Sequence, residues 1–428
     1  MKLPLRLILF GLAATLVSGL LFAAFGRGAV TWLLEVATAD QQSSGIERWR
    51  VEGIYQELAV SLFYRAVFLG WSLIGFVIVF SKLHQKGGGS ARLAKLSFSV
   101  YCFLFFYLAL ELLAAPFLIT HLDLYNYFFV LDVDHRLPAS HAGIGTNRDS
   151  FRNSREREDF LPEDFNILFL GDSFTFGLGV TREEAFPAKV ELRLRETSPQ
   201  RQARAVNLGW TSASPLLALR AVEELGEAYS PDFLVYCLDM TDFHDDIKYR
   251  NMIEKRGIYW FYDKVPLTLK LLEDTAKPLF EALYYRSNSN LPRERFFMSE
   301  APLEETRAYL ETALEHVRQL AAWARQRDLG FALVVLPRSY QYSARECPEN
   351  REMEYYSVLG PYSLEPFRYF DSIAPGEPYP VLSLLETFRS TEVFPTCFRD
   401  DPHWNVAGHQ IAADAIANFL APRIESLP

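Results

Sequence analysis

The sequence predicts an α/β domain with a parallel sheet, preceded by three membrane-spanning helices. Two observations predict this architecture. Three long apolar runs occupy the first third of the 428 residues, and short apolar runs alternate with amphipathic stretches over the remainder. The net charge is -10. Because phosphate binding needs clustered Lys and Arg, this charge argues against nucleic acid as a partner.

The apolar runs have the length that a helix needs to cross the hydrocarbon core of a membrane, about 20 residues. They cover residues 7–25, 58–80 and 96–119. We therefore expect residues 1–120 to form a membrane anchor. Arg65 and Glu111 interrupt the second and third runs. Charges inside a membrane are costly, so we expect these side chains to face other helices, pair or snorkel rather than serve transport.

The distribution of basic residues predicts the orientation. The loop at residues 81–95 carries four basic residues and no acid, and Lys2 and Arg6 begin the chain. Such segments stay in the cytoplasm, so three crossings place the rest of the chain on the outer face of the cytoplasmic membrane. The first run also resembles a cleaved signal peptide. In that case the other two spans still leave the large domain outside.

From about residue 147 the pattern is that of strands alternating with helices. Buried strands are expected at residues 165–170, 204–209, 232–239 and 330–337. Amphipathic helices are expected at residues 183–196, 214–229, 302–327 and 405–420. Asn405 is a favourable N-cap for the last helix. Strands joined by helices imply right-handed crossovers and a parallel sheet that is covered on both sides.

The part of the chain after the anchor divides into a linker and lead-in at residues 121–164 and a large domain at residues 165–428. Residues 243–300 are rich in Tyr, Phe and charge, with weak periodicity. We interpret them as an insertion that caps a site. Cys347 and Cys397 lie in loop-like sequence and are candidates for a disulfide in an oxidising compartment.

Polar residues follow the ends of the predicted strands. Because ligands of parallel α/β sheets bind outside the carboxyl ends of the strands, we expect these residues to converge at one edge. A serine, a histidine and a carboxylate at one edge are the groups that nucleophilic catalysis needs. The candidates are Asp172 and Ser173 after the first strand, Asn207 and Gly209 after the second, Thr241 and Asp242 after the third, and Asp401 and His403 before the last helix.

Each set also has a plainer interpretation. Asp172 and Ser173 are good N-cap residues, and the stretch at residues 207–209 has the composition of a turn. Asp401 and His403 suit a metal site or a polar surface, but no third metal ligand is evident. A further group resembles a metal cluster, although we expect it to form a solvated loop: Asp242, His244, Asp245 and Asp246. The patterns together favour catalysis, with neither a metal nor an organic cofactor.

In order and position these blocks resemble the SGNH (GDSL-type) hydrolase superfamily of esterases, lipases and carbohydrate acetylesterases. The resemblance covers about residues 146–420 and implies a flavodoxin-like three-layer parallel sheet. It implies that Ser173 is the nucleophile, His403 the base and Asp401 the group that orients the histidine.

The same resemblance implies an oxyanion hole. Its donors are the backbone N–H groups of Ser173 and Gly209 and the side chain at position 241. The family has asparagine at that position, and this chain has Thr241, so His244 or Asn207 are alternative donors. Three residues are expected to support the site: Asp172, Asn207 and Asp242.

The stretches "TNRDSFRN" and "DPHWN" resemble the membrane-anchored branch of the superfamily. The resemblance therefore implies a membrane-anchored serine esterase that acts on O-acyl groups of an extracytoplasmic carbohydrate or lipid. Two alternatives stay open. One is an O-acyltransferase that modifies an envelope polysaccharide. The other is a non-catalytic module that binds a carbohydrate or a partner, for which Thr241 is the main support.

Overall fold

The computed structural model describes residues 3–37, 63, 66–81, 95–96, 98–100, 102–103, 106–107, 145–198, 200–254, 256–257, 277–350 and 352–425. The chain forms two compact units. One comprises Met1–Asp132 with Phe261–Phe280, and the other comprises Val133–Trp260 with Glu281–Pro428. The predicted division at residues 120 and 164 stays a prediction, because the first boundary lies outside the described residues.

In the first unit, helix α1 spans Leu3–Ala37, and residues 66–81 are also helical. The two segments contact each other, since Trp71 Nε1 donates a hydrogen bond to Thr15 Oγ1 at 2.9 Å. Much of the apolar surface of α1 is nevertheless exposed. Its large exposed side chains include Phe10, Leu16, Val17 and Leu20.

Among the residues described, no helix combines the length and the apolarity needed to cross a membrane. The first predicted span, residues 7–25, lies within α1, and the other two are described only in part. Arg65, Glu111 and most of the loop at residues 81–95 lie outside the described residues. The described residues thus do not support the three spans, which stay predictions together with the orientation.

The second unit is built on a five-stranded sheet. Its strands are β1 Phe165–Gly171, β2 Ala203–Asn207, β3 Phe233–Leu238, β4 Gly330–Val335 and β5 Val381–Ser383. The order is β2-β1-β3-β4-β5 and all pairs are parallel, which is the flavodoxin-like order. The predicted α/β class and the four predicted strands are confirmed. The sequence did not predict β5, because three half-buried residues show no periodicity.

Helices follow every strand. After β1 the helices are α2 Ser173–Phe176, α3 Phe186–Thr197, α4 Pro215–Leu225, α5 Asp242–Ile253, α6 Lys277–Ser287, α7 Phe297–Glu300, α8 Leu303–Arg325, α9 Ser339–Tyr342, α10 Glu365–Ile373, α11 Leu385–Ser390 and α12 Val406–Glu425. The four predicted helices correspond to α3, α4, α8 and α12. Asn405 Oδ1 accepts the N–H groups of Ala407 and Gly408 at 2.9 and 3.1 Å, so it is the predicted N-cap of α12.

The helices cover the sheet on both faces. Helices α3 and α12 pack together over the face that carries Ile167, Phe169 and Val235. Side chains alternate along a strand, so Leu168 and Leu234 point to the opposite face. There α4 and α8 pack against the sheet, with α5 beside them. The core is therefore two apolar layers around a central sheet, as predicted.

The acidic stretch after β3, residues 242–246, differs from what the sequence predicted. We expected a solvated loop, but this stretch forms the first turn of α5 and is buried. Buried carboxylates persist when they are paired. The partners at hydrogen-bond distance are Tyr236 for Asp242, Arg295 for Asp245 and His316 for Asp246. Residues 258–276 of the predicted insertion lie outside the described residues, so its capping role stays a prediction.

Candidate active site

Strand β1 presents Ser173 at its carboxyl end, where the serine begins α2. Gly171 has a φ of 152°, and a Cβ atom there would lie 2.6 Å from the carbonyl oxygen of Cys237. Only glycine fits so close an approach. Asp172 caps α2, because its Oδ1 accepts the N–H of Phe174 at 3.0 Å. The N-cap is therefore Asp172, and the hydroxyl of Ser173 is left to other partners.

Ser173, His403 and Asp401 form a hydrogen-bonded series. Oγ of Ser173 lies 2.8 Å from Nε2 of His403, and Nδ1 of the same ring is hydrogen-bonded to Oδ1 of Asp401. A carboxylate only accepts hydrogen bonds, so Nδ1 carries the ring proton and Nε2 accepts from the serine hydroxyl. Asp401 Oδ1 also accepts the backbone N–H of His403 at 3.0 Å. The structure thus brings together the three predicted triad residues.

The loop that carries His403 is held by its neighbours in sequence. Cys397 pairs with Trp404 in an antiparallel bridge, and Asn405 Nδ2 donates to the carbonyl oxygen of Cys397 at 3.0 Å. The fully buried ring of Trp404 stacks on Phe388 at 4.7 Å and meets the edge of Phe174 at 4.9 Å. The Trp and Asn of the "DPHWN" stretch are therefore packing and capping residues.

Two buried cysteines lie beside this loop. The carboxylate of Glu346 accepts the N–H groups of Thr396 and Cys397 at 2.8 and 3.1 Å, which ties residue 346 to the loop. Cys347 and Cys397 are free thiols. A hydrogen bond from the neighbouring thiol of Cys397 lowers the pKa of Cys347. Their pairing in an oxidising compartment stays a prediction.

The end of β2 is fastened to α2 and to the lead-in. Asn207 Nδ2 donates to the carbonyl oxygen of Thr175 at 2.8 Å, and Asn207 Oδ1 accepts the N–H of Gly209 at 2.9 Å. A Cβ atom on Gly209 would lie 2.7 Å from the backbone nitrogen of Phe176. The glycine thus lies against α2, as an oxyanion donor must, but its N–H already donates to Asn207.

The other predicted donor is also engaged. The hydroxyl of Thr241 donates to Asp239 Oδ2 at 2.6 Å, and the N–H of Thr241 donates to the same oxygen at 2.9 Å. The alternative donor His244 is buried, with Nε2 3.1 Å from the carbonyl oxygen of Pro292. The oxyanion roles of Gly209, Thr241 and His244 stay predictions.

Three buried carboxylates cluster beside Ser173. Oxygen atoms of Asp172, Asp239 and Asp242 lie within 4.8 Å of one another. Burial and the charge of Asp239 raise the pKa of Asp172 to about 8, and burial and Asp172 raise that of Asp242 well above its usual value. Burial also opposes ionisation of Asp239, but the charge of Arg338 and the hydrogen bonds from Arg338 and Thr241 together outweigh it and lower the pKa of Asp239. The cluster therefore holds its negative charge on Asp239.

Our sequence interpretation missed Arg338. This arginine is buried after β4 and makes a two-point ion pair with Asp239, at 2.8 Å from Nε and 2.9 Å from Nη2. A signal was available, since a charged residue directly follows a predicted strand at the carboxyl edge of the sheet.

Two residues of the lead-in, Arg152 and Asn153, hold the backbone of the candidate site in place, a role that the sequence did not predict. Arg152 Nη1 donates to the carbonyl oxygens of Phe176, at 3.1 Å, and of Gly177, and so holds the end of α2. Asn153 accepts the N–H of Asn207 at 2.7 Å and donates to its carbonyl oxygen at 3.1 Å. These two consecutive residues hold the two backbone segments that carry Ser173 and Gly209.

No protein-family model matches the chain, and no curated protein matches it. Solved structures that it resembles include a GDSL-like lipase and an acetyl-xylooligosaccharide esterase. A catalytic mutant of an acetylxylan esterase from Geobacillus stearothermophilus is 18% identical with a TM-score of 0.34, over 60% of this chain and 95% of that chain. A GDSL-like lipase from Bacteroides thetaiotaomicron is 11% identical with a TM-score of 0.33, over 63% of this chain and 92% of that chain. A two-domain esterase active on acetylated mannans is 17% identical with a TM-score of 0.33, over 62% of this chain and 52% of that chain.

Proposed function

We propose that the chain is a serine esterase in which Ser173 attacks the carbonyl carbon of an ester. The observation that carries the proposal is the 2.8 Å distance from Ser173 Oγ to Nε2 of His403, whose other nitrogen bonds to Asp401. A serine hydroxyl is a poor nucleophile at neutral pH and needs a base within this reach. Ser173 and His403 are 230 residues apart in sequence, so only the tertiary fold brings them together.

In the proposed reaction, Nε2 of His403 takes the hydroxyl proton as Oγ of Ser173 bonds to the carbonyl carbon. Asp401 stabilises the imidazolium that forms. The tetrahedral intermediate collapses to an acyl-serine when His403 gives the proton to the leaving alcohol. Water, deprotonated by the same histidine, then releases the acid and regenerates the serine.

The backbone N–H of Ser173 is the oxyanion donor that we favour. Within the described part of the chain it has no hydrogen-bond partner, whereas Gly209 donates to Asn207 and Thr241 donates to Asp239. The N–H of Gly209 and the hydroxyl of Thr241 can donate to the oxyanion only if they give up these hydrogen bonds when substrate binds. One oxyanion donor is worth about 3–4 kcal/mol of barrier.

Hydrolysis of p-nitrophenyl esters of increasing acyl length tests the proposal. We expect turnover that depends on Ser173, and the acyl length at which kcat/KM falls reports the size of the acyl pocket. Ser173→Ala abolishes turnover and covalent labelling by a fluorophosphonate. Ser372→Ala, which changes an exposed serine of α10, keeps both. Turnover that survives Ser173→Ala contradicts the proposal.

A second candidate function is a binding module without turnover. It is favoured by the engagement of Gly209 and Thr241 in hydrogen bonds within the protein, which leaves one predicted oxyanion donor. Folded wild-type protein that neither labels with fluorophosphonate nor hydrolyses esters, yet retains carbohydrate in affinity electrophoresis, would establish this function instead.

We further propose an extracytoplasmic substrate and a membrane location. The N-terminal apolar runs and the exposed apolar side chains of α1 support membrane anchoring. The basic loop at residues 81–95 supports a position of the large domain outside the cytoplasm. The substrate class we propose, consistent with the resemblance to SGNH hydrolases, is an O-acyl ester of an envelope carbohydrate or lipid.

Hydrolysis and acyl transfer share the acyl-serine and differ in the acceptor. Incubation of the protein with an acyl donor, with and without a sugar oligomer, separates them. Free acid alone indicates an esterase. Acylated sugar that disappears in Ser173→Ala indicates an O-acyltransferase.

A further inference from the structure

We propose that Arg338 is a positioning residue of this site, which keeps the charge of Asp239 compensated so that negative charge can develop at Ser173 and the ester. The proposal rests on the proposed esterase function. It assigns a role to a side chain outside all the sequence blocks that predicted the site.

Arg338 and Asp239 form a buried ion pair, and Glu352 is a second carboxylate partner of the arginine. Arg338 is 2% exposed and Asp239 is fully buried. Besides its bonds to Asp239, Arg338 donates from Nη1 to Glu352 Oε2 at 2.7 Å and from Nη2 to Thr241 Oγ1 at 3.4 Å. Removal of one partner from a buried pair leaves an uncompensated charge, which is costly. The ionised state of Asp239 therefore depends on Arg338.

Asp239 connects the arginine to the reacting atoms. Its Oδ2 accepts both the hydroxyl and the N–H of Thr241. Its carboxylate belongs to the cluster with Asp172 and Asp242, and Asp172 Oδ2 lies 3.3 Å from Ser173 Oγ. The charge on Asp239 is thus separated from the nucleophilic oxygen by one side chain.

This proximity matters because ester cleavage places negative charge on the substrate oxygen. In a buried site, a nearby unpaired carboxylate opposes that charge strongly, since screening is weak. Among the described residues, Arg338 is the cation that hydrogen-bonds to the cluster. The other charged or titratable groups of the described residues that face Asp239 or its partners include Asp172, Asp242, Tyr236, Tyr340, Glu352 and Arg295, the last paired with Asp245.

Arg338 also packs on the residue that follows the nucleophile. Its guanidinium carbon lies 5.2 Å from the ring centroid of Phe174, at cation–π distance. The same ring lies 5.0 Å from the ring of His403. Arg338 therefore contacts the site both through the charge of Asp239 and through the packing of Phe174.

Steady-state kinetics with p-nitrophenyl acetate at several pH values test the proposal. In Arg338→Gln we expect kcat to fall on the order of 100-fold, with a smaller change in KM. The loss grows with rising pH, because Asp239 ionises without a partner. Asp239→Asn combined with Arg338→Gln removes both charges, so the double variant recovers most of kcat and loses the added pH dependence. Arg368→Gln, an exposed arginine of α10, is the matched control and behaves as wild type.

A folded Arg338→Gln variant with kcat within twofold of wild type would overturn the proposal. So would a double variant that stays as slow as the single one, because the charge of Asp239 would then not be the cause. If Arg338→Gln does not fold, the double variant is compared with wild type instead. A folded double variant that loses kcat on the order of 100-fold would then contradict the proposal. Wild-type protein without turnover dependent on Ser173 would instead refute the esterase function, and this proposal with it.

Discussion

Asp401 lies on the outer side of His403, and its side chain is 31% exposed whereas that of the histidine is 8% exposed. Its Oδ1 accepts both the ring Nδ1–H and the backbone N–H of His403. The two bonds fix the ring orientation and the tautomer in which Nε2 can accept from the Ser173 hydroxyl. Asp401→Asn keeps the shape but offers a donor to Nδ1. We therefore expect kcat for p-nitrophenyl acetate to fall roughly 10⁴-fold, as in other Ser-His-Asp triads.

The neighbouring residue supplies a matched control. Asp400 is an exposed carboxylate one position before Asp401, so Asp400→Asn makes the same chemical change outside the hydrogen-bonded series. We expect its kcat to stay within twofold of wild type. Equal activity of the two variants would mean that Asp401 does not orient His403.

Asp172 makes the stability of the fold depend on pH. Burial and the charge of Asp239 raise its pKa to about 8, and in the unfolded chain its pKa returns to about 3.9. Between these values the folded protein holds a proton that the unfolded chain has lost. The free energy of unfolding therefore falls as pH rises through this window, and the loss is complete above the folded pKa.

Asp172→Asn replaces the protonated acid with a neutral amide and removes this dependence. The free energy of unfolding of the variant, relative to wild type, should rise by up to about 1.4 kcal/mol per pH unit between about pH 5 and about pH 8. Urea denaturation at several pH values measures it. Asp371→Asn, at an exposed carboxylate of α10, should run parallel to wild type. A difference independent of pH would show that Asp172 is ionised in the folded protein.

At the scale of elements, the lead-in (residues 121–164) holds the end of β2 in place through Asn153. The strand lies at the sheet edge, and Asn153 bonds both backbone groups of Asn207 there. Asn153→Ala leaves those buried groups unpaired, so we expect the free energy of unfolding to fall by about 1–3 kcal/mol. We also expect kcat to fall, because Asn207 positions Gly209 and Thr175. Urea denaturation and esterase kinetics measure the two effects.

The adjacent serine is the control for Asn153. Ser154 is exposed, and Ser154→Ala should leave both unfolding and kcat unchanged. If Asn153→Ala left the free energy of unfolding and kcat unchanged, as Ser154→Ala should, the lead-in would not hold the end of β2.

Elements with strong local signals were predictable from sequence. The runs that became β1, β3 and β4 are continuous and apolar, and Asn405 caps α12 through its own side chain. Helix α5 was not predicted at its acidic start, because the burial of Asp245 depends on an ion pair with Arg295, 50 residues away. Pairings at such a distance leave no periodic pattern in the sequence.

At the scale of the whole molecule, sequence order together with a parallel sheet was sufficient to place Ser173 and His403 at one edge. It did not show which hydrogen bonds are already made there. The engagement of Thr241 by Asp239, and of Asp239 by Arg338, depends on the ends of two strands, β3 and β4. Motif positions were therefore predictable, whereas the charge balance of the site required the structure.

The location of the molecule is tested by the accessibility of single cysteines in the full chain. The basic loop at residues 81–95 predicts that Ser90 lies in the cytoplasm and that the large domain, including exposed Ser372, lies outside. In intact spheroplasts, a membrane-impermeant maleimide should label Ser372→Cys but label Ser90→Cys only after lysis. The parent chain gives the background from its own cysteines. Labelling of Ser90→Cys before lysis, with Ser372→Cys protected, would reverse the orientation, and recovery of the protein in the soluble fraction would refute the anchor.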